Sequence, residues 1–464
     1  MRRAEIRLLS VTLLLGFLIF FAQTKTFGLM FDGLTYAALA KNILKTGDWK
    51  MLHYGLEQYS DFFYHPPLAM WMQALIFKIF GSEESIARIL PGSCAILTTL
   101  GVFLFARARY GLTAAFFSAM ALITSTRYIK WGTNFYLDGI LGFFCFSSFA
   151  LWIWLLTETN SAKKFRDYCL ATCSGLLVGC AFMTKGIVAY PIIGASLIAL
   201  LLLPRIKNLI LFLFYAFGAV LPIFLWITYG SGSNYLHLYL SSNFSGALFH
   251  GFNWQPWQDL YHVWWPWWPV FIIATVGAMV KFFKGDKSAA LILGGASAFL
   301  LAFSANPIFL ENYLTPFYPF AATVIGIQFS SWIRKDYTEK YFRFTLGLTL
   351  ILATLLATVA PDVNKQKDTP VTLWIREIKT LPSLELQKIN TIVYSKDSAE
   401  LWLTLATILG RTNWQAIGQF AVNRPAIKNT VLVVKNGETP DPSWKKEPRL
   451  YVDGYEFYIP AAGL

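Results

Sequence analysis

Two aspartates stand at the entrance to helix-forming runs: Asp32 in "LMFDGLTYAALAKNILKTGDW" and Asp138 in "NFYLDGILGFF". A carboxylate so placed has two readings. It can cap the following helix by accepting orphan backbone N–H groups. It can instead face a cavity at a membrane surface, where it takes a proton from a hydroxyl or holds a metal ion. Both acids have aromatic neighbours, and in the topology below both lie on one side of the membrane, which favours a joint site. Between them, "YSDFFYHPPLAMW" runs from Tyr59 to Trp71. Its double proline, Pro66 and Pro67, restricts the backbone and aims His65. His65 is either a hydrogen-bonded structural residue or a group that holds phosphate, with Tyr59 and Tyr64 lining the same wall.

Lys185, in "CAFMTKGIVAY", is flanked by long apolar runs. Burying such a lysine is costly without a partner. It either snorkels to the surface or meets an anionic ligand. The Trp-rich stretch "HGFNWQPWQDLYHVWWPWWP" reads as an interfacial aromatic belt. Aromatic faces also stack on sugar rings, and His250 and Gln255 are the polar contacts offered there. "NPIFLENYLTPFYPF" places Glu311, Asn312 and Tyr313 at the start of another run.

The elements that must position these groups are membrane helices. The chain has 464 residues, of which 56% are hydrophobic and 14% charged. Its mean hydropathy of +0.49 excludes a water-soluble globule. Apolar runs of bilayer length recur from Leu8 to Ala360. They are continuous rather than alternating, so helices are expected and a β-barrel is rejected. Spans are expected at 8–27, 86–106, 112–130, 138–157, 168–184, 187–203, 208–229, 267–283, 288–305, 313–332 and 343–360. That is about eleven crossings.

The net charge of +13 would suggest nucleic acid in a soluble protein. Here the basic residues cluster in every second connection, at Arg2/Arg3/Arg7, Arg107/Arg109, Lys163/Lys164/Arg166, Arg205/Lys207, Lys281/Lys284/Lys287 and Arg334/Lys335/Lys340/Arg343. That is the positive-inside pattern. It leaves a first extracytoplasmic loop of about 28–85, the region 230–266 and everything after Pro361 outside. "PPLAMWMQALIFKIF" is expected as a helix along the outer interface. Residues 1–360 form the membrane domain in this reading, and 361–464 a small α/β domain. Its strand signals are "NTIVYS", "NTVLVVKN", "RLYVDG" and "YEFYIP", and "DSAELWLTLATILG" reads as one helix. Five cysteines lie in or beside apolar runs and suggest no disulfide framework.

The order of these stretches resembles the GT-C superfamily of membrane glycosyltransferases. The likeness is to the branch of the lipid A aminoarabinose transferases and the protein O-mannosyltransferases. It is carried by "FDGLTYAALAKNILKTGDW", "FFYHPPLAMWMQALIFKIFGSEESIARILPG", "NFYLDGILGFF", "GLLVGCAFMTKG" and "ENYLTPFYPFAA", over about residues 1–330. The resemblance implies a sugar donor carried on a polyprenyl phosphate such as undecaprenyl phosphate. It implies an acceptor in the cell envelope, whether lipid A, another glycan or a protein. It implies Asp32 as the first-loop catalytic aspartate and Asp138 as the second acid. His65 stands where the aminoarabinose transferases have a phosphate-binding lysine, and Lys185 and Tyr313 match positions lining the lipid cavity. No cofactor is firmly implied. A divalent metal would draw on Asp32 and His250. The chain departs from the pattern in Gly33, Thr35 and Tyr64, where the family often has glutamate, arginine and an acid.

The chemistry stands beside the resemblance. Polyprenyl phosphate leaves readily if His65, Lys185, Arg127 or Arg88 holds its charge, while Asp32 takes the proton of an acceptor hydroxyl. The rival class is a multi-span transporter or flippase of lipid-linked or small anionic substrates. Transporters place polar groups near the midplane, often in repeated halves; here the acids gather at one face and no repeat is evident. A non-catalytic lipid-binding scaffold is a further rival. The expected location is the inner membrane, with the C-terminal part extracytoplasmic.

Overall fold

The computed structural model describes residues 3–22, 29, 31–53, 62–82, 84–158, 165–230, 236–239, 252–306, 309–333, 347, 391–394, 415–417, 425–426, 430–435, 437–452 and 455–461. The chain forms two compact units. One holds Met1–Thr26, Phe63–Ala69 and Arg88–Asn364; the other holds Phe27–Phe62, Met70–Ala87 and Lys365–Leu464.

The helices in chain order begin with α1 (Arg3–Ala22), α2 (Phe31–Thr46), α3 (Leu68–Phe80) and α4 (Glu84–Ala87). Next come α5 (Ile89–Tyr110), α6 (Leu112–Ile123), α7 (Thr126–Thr133), α8 (Leu137–Thr157) and α9 (Phe165–Lys185). A 3-10 turn, Gly186–Ala189, leads to α10 (Tyr190–Leu202) and α11 (Ile206–Tyr229). The remaining helices are α12 (Gln255–Val263), α13 (Trp267–Phe283), α14 (Lys287–Ser304), the 3-10 helix Glu311–Phe317, and α15 (Tyr318–Trp332).

Within the first unit, α8 is the centre and α11 is peripheral. The most apolar stretch of α8 is 78% buried and that of α11 only 22%. A helix apolar on every side belongs in a core or in lipid, and these two take one setting each. Helices α9 and α11 pack at backbone distance. A Cβ at Gly175 would lie 1.9 Å from the Tyr215 carbonyl oxygen, and one at Gly218 would lie 2.2 Å from that of Thr172. Small residues permit this close approach between membrane helices. Polar cross-links join the layers: Ser148 Oγ donates to the Ser174 carbonyl at 2.7 Å, and Tyr215 Oη to Ser196 Oγ at 3.1 Å.

By length and apolarity, five helices of the described residues can cross a membrane, or up to seven if each bent pair is one span. One of the five is the 38-residue run Phe165–Leu202. It folds back at Gly186. Ser196 meets Tyr215, which touches Gly175 in α9; a straight helix would carry Ser196 roughly 30 Å from Gly175 at 1.5 Å per residue. The run therefore doubles back on itself rather than continuing as one straight helix. The span expected over 112–130 is instead broken: α6 and α7 bend by 66°. Thr124 and Ser125 interrupt the apolar run, and Ser125 caps α7 by accepting from the Tyr128 backbone N–H. The span expected at 343–360 and the helix at 397–410 lie outside the described residues, residue 347 apart.

In the second unit, α2 and its following turn are tied together. Asn42 donates to the His53 carbonyl at 2.9 Å, and Trp71 Nε1 to that of Trp49 at 2.8 Å. Helix α3 starts at Leu68, directly after the two prolines. The strands are β1 (Thr391–Tyr394), β2 (Gln415–Ile417), β3 (Thr430–Lys435), β4 (Trp444–Val452) and β5 (Tyr455–Pro460). They form one sheet in the order β2-β1-β3-β5-β4, parallel on the β1 side and antiparallel around β5. Leu432, Val434 and Trp444 are its core.

Candidate active site

Asp138 lies in the first turn of α8 and is fully buried. It does not cap that helix, whose N-cap residue is Tyr136. Its carboxylate turns to Lys185, the last residue of α9. Lys185 Nζ donates to both Asp138 oxygens at 2.6 Å. Asn312, second residue of the 3-10 helix, donates Nδ2 to Asp138 Oδ2 at 2.7 Å. The ammonium also stands 4.8 Å from the centre of the Tyr313 ring, in cation–π range. Helix dipoles favour this arrangement, because the acid sits at a helix N-terminus and the base at a C-terminus. Desolvating two charges costs several kcal/mol per ion; the bidentate pairing and the Asn312 amide offset it.

Local sequence makes the pocket. Gly139 faces α7 so closely that a Cβ would lie 3.0 Å from Gly132 Cα. Gly186, at φ +63°, ends α9 in a left-handed conformation open to glycine. The Tyr239 hydroxyl fills the space beside it and accepts from the Ile187 N–H at 2.8 Å.

His65 is partly exposed. Burial, with the charge of Lys185 added, pushes its imidazole well below the ordinary value. It is a neutral hydrogen-bonding group near neutral pH rather than a cation. Tyr64 is exposed at 59%. Asp32 is partly exposed in the first turn of α2, which already begins at Phe31, so it too lies inside its helix rather than at the cap. Asp32 belongs to the second compact unit; His65, Asp138, Lys185 and Tyr313 belong to the first. Tyr59 and His250 lie outside the described residues.

A second ionic cluster stands in the first unit. Arg127 pairs with Asp259 at 3.0 Å and with Glu311, while Lys130 stands 3.7 Å from Glu311. Arg127 is therefore matched by two carboxylates and is not the open phosphate-binding cation that the sequence offers. Arg88 is buried beside α5. No group of three or more His, Cys, Asp or Glu side chains gathers among the described residues. Asp138, the acid with the deepest setting, is already matched by lysine. The described residues do not fit a metal centre.

A family model described as dolichyl-phosphate-mannose-protein mannosyltransferase matches residues 64–228. That stretch contains His65, Asp138 and Lys185. The solved structure of ArnT from Cupriavidus metallidurans bound to undecaprenyl phosphate superimposes with a TM-score of 0.69. It covers 99% of this chain and 98% of that one at 15% identity. The chain shares the fold of that ArnT structure over nearly its whole length. A second solved structure, the archaeal oligosaccharyltransferase AglB from Archaeoglobus fulgidus, gives a TM-score of 0.55 at 11% identity, covering 93% of this chain and 69% of that one. In sequence, the chain is 26% identical over 189 residues to the undecaprenyl phosphate-alpha-4-amino-4-deoxy-L-arabinose arabinosyl transferase of Serratia proteamaculans. This match takes in 39% of the chain and 32% of that relative. The chain thus spans about a third of the curated relative's length.

The pairing of Asp138 with Lys185 is the part of this site that the sequence does not announce. Each residue draws attention alone, and they receive different roles. The signal was present in the cost of an unpartnered lysine: the nearest acid on the same side of the neighbouring span supplies its partner.

Proposed function

We propose that the chain is a membrane glycosyltransferase that moves a sugar from a polyprenyl phosphate to an envelope acceptor on the extracytoplasmic face of the inner membrane. Lipid A or lipopolysaccharide, another glycan and protein are the acceptor classes. In this reading residues 1–360 are the transferase domain and 361–464 a small extracytoplasmic α/β domain.

The observation that carries the reading is the buried Asp138–Lys185 pair with Asn312 and Tyr313 around it. The named relatives add weight, since they use lipid-phosphate sugars. In the reaction the bond from the sugar C1 to the phosphate oxygen breaks, and the electron pair leaves with polyprenyl phosphate. A new bond forms from C1 to the acceptor oxygen. Asp32 takes the acceptor's proton. Lys185 has two of its N–H groups on Asp138, so a donor phosphate is met by the remaining N–H. Asp138 holds that ammonium in place while the leaving phosphate develops charge. His65 contributes a neutral hydrogen bond, with Tyr59 and Tyr64 lining the same wall.

Mass spectrometry of lipids, glycans and glycoproteins from cells with and without the gene tests the reading. One envelope component should lose a sugar residue, and purified protein in liposomes should restore it from undecaprenyl-phosphate-linked sugars. Identical profiles together with inert purified protein would reject the transferase.

A further inference from the structure

We propose that Arg127 and Asp259 are positioning residues that set Asn312 on Asp138, acting through Glu311. The proposal rests on the transferase reading for its binding readout alone.

Asn312 sits at the start of a 3-10 helix, an element with poor internal hydrogen bonding. What holds its first residues is therefore external. Glu311 is bound by Arg127 and approached by Lys130, both from α7. Arg127 is also held by Asp259 of α12 at 3.0 Å, and the Arg127 and Asp259 side chains are only 12% and 11% exposed. A lone surface ion pair contributes little. This one is different in kind: a planar guanidinium bridges two carboxylates on two separate segments, a geometry lysine cannot copy.

The next residue along is Asn312. Consecutive Cα atoms are about 3.8 Å apart, so a displacement of Glu311 is handed directly to the amide that donates to Asp138. Helix α7 also fixes the other half of that bond. Its Gly132 lies against Gly139, the neighbour of Asp138. Gly142, one turn further along α8, faces the Pro316 backbone at 3.2 Å from its Cβ position. Helix α7, the start of α8 and the 3-10 helix thus brace one another, and Arg127 closes the side on which Asn312 sits.

The test is a double-mutant cycle in the full-length purified protein, with undecaprenyl phosphate as the probe. Arg127→Gln and Asn312→Ala should each weaken its binding about tenfold, and the double variant should be no weaker than the worse single one. Arg127→Lys should recover only part of the loss. Hydrogen exchange at the amides of residues 311–317 should quicken in Arg127→Gln. Additive binding losses, or a lowered Tm with unchanged affinity, would overturn the proposal. If the parent protein does not bind undecaprenyl phosphate, the donor reading fails. The exchange rates then decide alone: unchanged exchange at 311–317 rejects the positioning role, and faster exchange supports it.

Discussion

Lys185 and Asp138 are 47 residues apart in sequence, yet the lysine Nζ stands 2.6 Å from both carboxylate oxygens. Each is the other's partner inside a helical core. Removing one partner leaves a buried charge uncompensated, at about 3–5 kcal/mol. Lys185→Ala and Asp138→Asn should therefore each lower thermal stability in detergent. Lys185→Met with Asp138→Leu should be milder than the two single losses added. Additive losses would show that the pair is not coupled.

His65 gives a pH dependence of definite sign. Its folded pKa is lowered from 6.5 by burial and by Lys185. The unfolded chain therefore binds a proton that the folded chain refuses. This contribution is fully present above 6.5 and is lost as pH falls below it. Thermal unfolding between about pH 5 and pH 7.5 should show the parent losing stability toward acid more steeply than His65→Gln. Parallel curves would mean that His65 titrates equally in both states.

The helical character of the chain is legible in continuous apolar runs. The reversal at Lys185–Gly186 is legible too, because a glycine follows the last polar residue of a run. The break between α6 and α7 is hidden, because Thr124 and Ser125 are too few to interrupt a hydropathy pattern. The pairings are hidden for a different reason. Arg127 reads as an available cation until tertiary packing brings Asp259 and Glu311 to it from positions 132 and 184 residues away. Sequence displays charges one at a time; only the packing of α7, α8 and α9 decides which are matched. Similarly, β2 is too short to show, and β4 begins at Trp444 among charged residues that give no strand alternation.

Close packing of α9 on α11 sets a steric limit. The nearest atom to a Cβ at Gly175 is a backbone oxygen, which cannot rotate away. Gly175→Leu should cost about 3 kcal/mol or more through overpacking and reduce the yield of monodisperse protein in size-exclusion chromatography. Gly194 in α10 has nothing within 4 Å of its Cβ position and serves as the control. Equal yields for Gly175→Leu and Gly194→Leu would contradict the helix contact.

Asp32 carries the sharpest consequence for chemistry. It lies in the first turn of α2, where the helix dipole favours an ionised carboxylate. It is partly exposed. Asp138 has its negative charge matched by Lys185, which makes it a poor proton acceptor. Asp32→Asn keeps size and hydrogen bonding while removing charge and basicity. With a hydroxyl acceptor, turnover should fall about 10²–10⁴-fold, the usual worth of a positioned base, with little change in Tm. Asp32→Glu should retain part of the activity. With a phosphate acceptor the nucleophile is already deprotonated, and Asp32→Asn should then be nearly as active as the parent. Measuring turnover of the same purified variant with the acceptor identified by mass spectrometry separates these cases. A folded Asp32→Asn enzyme with full activity on a hydroxyl acceptor would remove Asp32 from the base role.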